Sequence, residues 1–127
     1  MDKIQIKNII EKAKKTKRIV AVAVFGSSAK GKNHRDVDIC IFLDKEYSNL
    51  QMSKIRLDFL KNLKEEFDIQ IFQQLPVYIR IRILKEGKVL LCKDSDLLYE
   101  IAFTAIKEFG FYKKVYDMYL NEVKNHG

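Results

Sequence analysis

The stretch that decides the fold is Phe25–Asp44, FGSSAKGKNHRDVDICIFLD. It leaves one apolar run, enters another, and offers two phosphate-binding readings between them. Gly26 to Lys32 spells G-x-x-x-x-G-K, the beginning of a P-loop. A P-loop needs Ser or Thr next, for its hydroxyl on magnesium, and this chain has Asn33. A P-loop must also open a helix, whose free N–H groups cradle the phosphates. Only Asn33, His34 and Arg35 stand between Lys32 and the acids that begin the next apolar run. The P-loop reading therefore fails on both its chemistry and its room.

The second reading rests on Asp36 and Asp38. Residues i and i+2 of a strand share a face, so both carboxylates point the same way. Carboxylates held that close repel, and one must take up a proton unless a cation lies between them. The residues that follow, Ile39 to Leu43, are apolar, so the acids do not belong to a solvated charge run. Such a pair is what divalent ions need in an in-line phosphoryl displacement, and hard oxygen ligands suit magnesium. Asp68, between Phe67 and Ile69, is the acid of a later strand-like run. It lies opposite the pair if the two strands are neighbours, and there it can bind metal and serve as general base. Spacing alone leaves open that Asp68 merely faces solvent. Gly26-Ser27 offers backbone N–H groups and a hydroxyl to phosphate oxygens, and Lys30 adds a cation.

Outward from this stretch, lysine-studded Ile4, Ile6, Ile9, Ile10 and Ala13 predict a surface helix over residues 3–16. Ile19 to Phe25 and Val37 to Leu43 are short, continuous apolar runs, the pattern of strands buried on both faces. Ser48 to Glu66 reads as a helix with Leu50, Ile55, Leu57, Phe59, Leu60 and Leu63 on its apolar side. Phe67 to Phe72 alternates as a third strand. Residues 76–86 alternate too, but Pro76 suits a first helical position and Gly87 a helix end, so a helix is expected. Lys88 to Cys92 is a fourth strand. A helix follows from about 96 to 123, with Gly110 a place for a bend. The expected architecture is α/β (α+β): one domain over residues 1–127, a small mixed sheet of about four strands flanked by helices.

The chain has 127 residues and a net charge of +7. That balance favours polyanionic partners, although the lysines are spread along the chain as on an ordinary soluble surface. Cys40 and Cys92 both sit in apolar runs and are expected to be buried free thiols. His34 and His126 make no zinc pattern. There is no signal-peptide core and no run long enough to span a membrane, so a cytoplasmic protein without membrane attachment is expected.

The motif GSSAKGKNHRDVDICIF resembles the G-S-x-x-x-G…D-x-D signature of the DNA polymerase β-like nucleotidyltransferases, and most closely their smallest branch, the minimal nucleotidyltransferases (MNT). FDIQIFQQLP…ILKEGKVLLCKD is similar to that family's third-acid strand, proline-led helix and short strand. The resemblance covers nearly the whole chain and implies a nucleotidyltransferase fold. It implies that Gly26 and Ser27 grip nucleotide phosphates with help from Lys30, and that Asp36, Asp38 and Asp68 bind two Mg²⁺ ions. Lys30 stands where the family often has Arg, and lacks its bidentate fork. Arg35 replaces a frequent Ser, and the loop from Gly31 to Asp36 is about two residues shorter than in many members.

The resemblance further implies a partner, a HEPN-domain ribonuclease toxin, neutralised when AMP passes from ATP to one of its tyrosines. Nucleic acid is not expected as the direct substrate. Two other readings stay open: an antitoxin that blocks its toxin by contact alone, and transfer to a small molecule. The final helix carries Phe103, Ile106, Phe109, Phe111, Tyr112, Tyr116 and Tyr119. Most of these are expected in the core; the alternative is an interface, including one between copies of the chain.

Overall fold

The computed structural model describes residues 3–26 and 36–126. The elements, in chain order, are α1 (Lys3–Lys15), β1 (Ile19–Phe25), β2 (Val37–Leu43), α2 (Asn49–Leu60), β3 (Phe67–Ile71), α3 (Val77–Glu86), β4 (Lys88–Cys92) and α4 (Ser95–His126). A 3₁₀ turn over Phe72–Gln74 leaves β3. The sheet order is β3-β2-β1-β4. β1 pairs antiparallel with β2 and β4, and β2 pairs parallel with β3. The sheet is therefore mixed. The parallel pair requires a crossover, which α2 supplies.

The two central strands are buried almost throughout, as their unbroken apolar runs require. Each sheet face carries its own core. Ile19, Val22, Val24, Ile39, Ile41, Ile69 and Ile71 pack with Ile9 and Ala13 of α1 and Met52 and Phe59 of α2. On the opposite face, Ala21, Ala23, Cys40, Phe42 and Phe72 pack with Ile81 and Ile83 of α3 and Ala105 of α4. Phe42 and Phe72 stack with ring centroids 4.4 Å apart and anchor that second layer. The three-layer arrangement leaves the ends of the central strands as the openings to the sheet.

Several expectations are corrected by the packing. α2 ends at Leu60, well short of Glu66, and Asn62 takes a positive φ of 66° in the turn that follows. Its buried residues are Met52 and Phe59, with Ile55 half-buried between them at three- and four-residue spacing, while Leu50 and Leu57 are 67% and 57% exposed. Ser48 caps it: Gln51 N–H donates to Ser48 Oγ, and Ser48 N–H donates to Gln51 Oε1. Pro76 stands one place earlier than expected, as the N-cap of α3. Phe72 belongs to the 3₁₀ turn and not to β3. Cys40 is buried, but Cys92 is exposed, because β4 is an edge strand.

The largest correction concerns α4, which runs through Gly110 without interruption. Its first half packs Leu98, Ile101 and Ala105 against the core. Every described side chain from Gly110 to Asn125 is exposed. Phe103, Ile106, Phe111, Tyr112, Tyr116 and Tyr119 are thus surface residues, and only Phe109 of the aromatic set is half-buried. Core periodicity continues along a helix that has outrun its own domain. Among the described residues no helix is long and apolar enough to cross a membrane.

Candidate active site

Strand register places three residues in one row across the sheet. Phe25 of β1 faces Asp38 of β2, and Asp38 faces Asp68 of β3. The row lies where β1 ends and where β2 and β3 begin. It shares its face with Cys40 and Phe42, so the acids stand at the rim of the α3–α4 layer. Asp36 precedes β2 and is exposed, two residues from Asp38.

Gly26 follows β1 with φ +75°, a conformation that costs a non-glycine residue its Cβ clearance. A Cβ there would stand 2.9 Å from Asp38 Oδ2. The turn backbone therefore passes directly against the carboxylate. Ser27 and Lys30, the other nucleotide-binding candidates, lie outside the described residues.

Electrostatics distinguishes Asp38 among the acids. Burial holds its carboxyl above the ordinary carboxylate range, and the nearby charges of Asp68 and then Asp36 push it further the same way. The repulsion expected from the Asp36–Asp38 spacing is present, and the cross-strand neighbour contributes more of it than the sequence neighbour.

Asp68 is held by two groups that spacing did not single out. Arg56 Nη2 donates to Asp68 Oδ1 at 3.1 Å, and Gln70 Nε2 donates to Asp68 Oδ2 at 2.7 Å. Arg56 Nε also donates to Ile69 O at 2.6 Å, which ties α2 to the free edge of β3. Each carboxylate oxygen keeps a second lone pair for another partner. Partial signals for both existed in the sequence. Gln70 shares a strand face with Asp68, and Arg56 adjoins the stripe Met52–Ile55–Phe59, from which a long side chain reaches the sheet edge.

Among the described residues no trio of His, Cys, Asp or Glu side chains is gathered closely enough to hold a metal ion as it stands. The donor chemistry nevertheless suits a hard divalent cation. The acids are oxygen donors, and the unrelieved repulsion on Asp38 is what such a cation would remove.

A mixed sheet with flanking helices, bringing a glycine turn and aspartates to one rim, is the frame of a nucleotidyltransferase fold. The polymerase beta nucleotidyltransferase family matches residues 7–96, and the chain belongs to that family. A candidate protein adenylyltransferase of Methanocaldococcus jannaschii is 30% identical over 83 residues, which is 63% of this chain and 62% of that protein. The match thus spans less than two thirds of that relative. Solved structures share the fold. One is a chain from a toxin–antitoxin complex with AMP-PNP, with a TM-score of 0.71 and 14% identity over 97% of this chain and 98% of that one. Another is from the complex of a tri-AMPylated Shewanella oneidensis HEPN toxin with its MNT antitoxin, with a TM-score of 0.68 and 15% identity over the same shares.

Proposed function

We propose that this protein is a Mg²⁺-dependent nucleotidyltransferase that moves AMP from ATP to a tyrosine hydroxyl of a HEPN-domain toxin, and so acts as its antitoxin. The observation that carries the proposal is the cross-strand row: Asp38 lies opposite Asp68 and against the Gly26 turn. The names of the structural neighbours, an MNT antitoxin bound to an AMPylated HEPN toxin among them, support the choice of partner and donor.

In this reading Asp36, Asp38 and Asp68 would hold the metal, which would supply charge neutralisation on the α-phosphoryl group and the departing pyrophosphate. Gly26 and Ser27 present N–H groups and a hydroxyl to the phosphate chain, and Lys30 adds a positive charge. Asp68 accepts the proton of the incoming phenol as its oxygen bonds to the α-phosphorus and the bond to pyrophosphate breaks. Arg56 and Gln70 fix the orientation in which Asp68 meets that proton.

The test is incubation with labelled ATP, Mg²⁺ and the HEPN chain, repeated with Asp36→Ala and Asp38→Ala. Label on the HEPN chain that disappears in both variants is the expected result. Neutralisation that survives both variants without label would replace transfer with inhibition by contact. That second reading has its own observation, the exposed apolar half of α4, with Phe111 72% and Tyr119 66% exposed.

A further inference from the structure

A cavity of about 280 Å³ lies at the opposite end of the sheet from the acid row. Lys45 and Glu46, which follow β2, line one side of it, with Phe72 at the end of β3. Arg80 of α3 and Ile101 and Glu108 of α4 line the other. Asp38 stands near the start of β2, and the cavity lies beyond Leu43, about 17 Å further along at the rise of a strand. We propose that this cavity binds a free amino acid with an apolar side chain. Its carboxylate meets Arg80 and Lys45, its ammonium meets Glu46, and its side chain lies against Phe72 and Ile101. The site is separate from the transfer chemistry and does not depend on it.

The frame of the cavity is fixed by the fold. β2 and β3 are parallel neighbours, and the crevice outside the carboxyl ends of parallel strands is a common place for a ligand. Leu43 N–H donates to Gln73 Oε1 at 3.1 Å, and Gln73 Nε2 donates to Leu43 O at 2.7 Å. That pair of bonds locks the 3₁₀ turn to the end of β2. The volume is just under the roughly 300–1,000 Å³ of sites that take drug-sized ligands, so it suits a smaller molecule.

Arg80 is the group that calls for a ligand. Its side chain is only 17% exposed. Nη2 donates to Glu108 Oε2 at 2.8 Å, and the guanidinium lies 5.9 Å from the centre of the Phe72 ring. Nε is buried and has no hydrogen-bond partner among the described residues. A buried cationic N–H without an acceptor costs stability, and the chain itself does not supply the acceptor. An oxyanion would, through the forked geometry of the guanidinium.

The remaining charges select the kind of oxyanion. The lining holds two cations, Lys45 and Arg80, and two carboxylates, Glu46 and Glu108. Glu108 already pairs with Arg80, whereas Glu46 is exposed and forms no ion pair among the described residues. A phosphate dianion would meet the repulsion of both acids. A simple carboxylate would leave Glu46 unanswered. A zwitterion carrying a carboxylate and an ammonium complements both signs, and Phe72 and Ile101 offer apolar surface to its side chain.

The experiment is calorimetric titration of the full chain with L-leucine, L-methionine and L-phenylalanine. At least one is expected to bind with a Kd below about 1 mM. For L-leucine as the binder, 4-methylpentanoate lacks the ammonium and isoamylamine lacks the carboxylate; each should bind at least about tenfold more weakly. Arg80→Met and Glu46→Gln should each weaken the amino acid by about tenfold or more. Circular dichroism confirms each fold, and Thr104→Trp, which fills the cavity from an exposed position of α4, replaces Arg80→Met if that variant does not fold. A saturating ATP analogue with Mg²⁺ should leave the affinity unchanged, and displacement by it would overturn the placement of the site. Inorganic phosphate binding more tightly than the amino acids would overturn the choice of ligand. Absence of binding by all three, or undiminished binding in the folded variants, overturns the proposal and leaves the transferase reading intact.

Discussion

At the scale of single residues, Asp38 sets function against stability. Its carboxyl is held above the ordinary range by burial and by the charges of Asp68 and Asp36. Folding therefore favours its protonated form. Below about pH 4 the acid is protonated in the folded and unfolded chain alike, and no penalty arises. As pH rises through the folded pKa, the ionised form is penalised in the fold and stability is lost. Asp38→Asn should accordingly raise the melting temperature of metal-free protein at pH 7 while abolishing AMP transfer, and the gain should vanish at pH 3. Added Mg²⁺ should stabilise the wild type and not the variant; thermal melts across pH, with and without Mg²⁺, read both effects. Gly26→Ala tests the same contact from the other side. A methyl group there would meet Asp38 Oδ2 at 2.9 Å on a backbone with φ +75°. The left-handed backbone costs about 1–2 kcal/mol, a modest loss in a denaturant titration. Transfer should fall far more, by about 10²-fold, because the displaced group is the acid itself. Variants that lose both in proportion would mean the turn is only structural.

At the scale of elements, what the sequence revealed follows how strongly each segment's own pattern constrains it. β1 and β2 are legible because a short continuous apolar run has one stable place, the centre of a sheet. Asp38 was legible as the acid that opens an apolar strand, whereas Asp36, expected on the same strand face, stands just before β2 begins. The pairing of Asp38 with Asp68 was legible only on the condition that β2 and β3 are neighbours, since register between strands is a tertiary fact. Arg56 escaped for the same reason: its partner lies across the edge of β3, on another element. In α2 the sequence reading put Leu50 and Leu57 on the apolar side and passed over Met52. The structure selects Met52 with Phe59 and leaves Leu57 in solvent. That choice has a measurable consequence. Met52→Ala should cost about 2–5 kcal/mol in urea unfolding, and Leu57→Ala less than about 0.5 kcal/mol. Equal losses would place the helix in a different rotation about its axis.

At the scale of the whole molecule, α4 is the element that the rest of the chain does not explain. From Gly110 onward it projects about 25 Å beyond the body, with every described side chain exposed. Most helical stability in proteins comes from tertiary packing, which this half lacks, and Gly110 weakens it by about 1 kcal/mol relative to Ala. Phe109, Tyr112, Tyr116, Tyr119 and Val123 nevertheless recur at alternating spacings of three and four residues, in line with the stripe that packs Ile101 and Ala105 into the core. Phe109, Tyr112 and Tyr116 stack in sequence, with centroids 6.5 and 6.0 Å apart. An apolar stripe with core spacing and no core of its own marks an interaction surface. If the HEPN chain is what covers it, Tyr116→Glu should weaken that complex by about 2 kcal/mol or more, roughly thirtyfold. The same variant should leave the melting temperature and ATP-analogue binding unchanged, since Tyr116 touches neither the sheet nor the acid row. Amide exchange in residues 111–123 should be fast in the isolated chain and slow in the complex. Slow exchange in the chain alone, together with a sedimentation coefficient that rises with concentration and falls in Tyr116→Glu, would instead assign the stripe to a second copy of this protein.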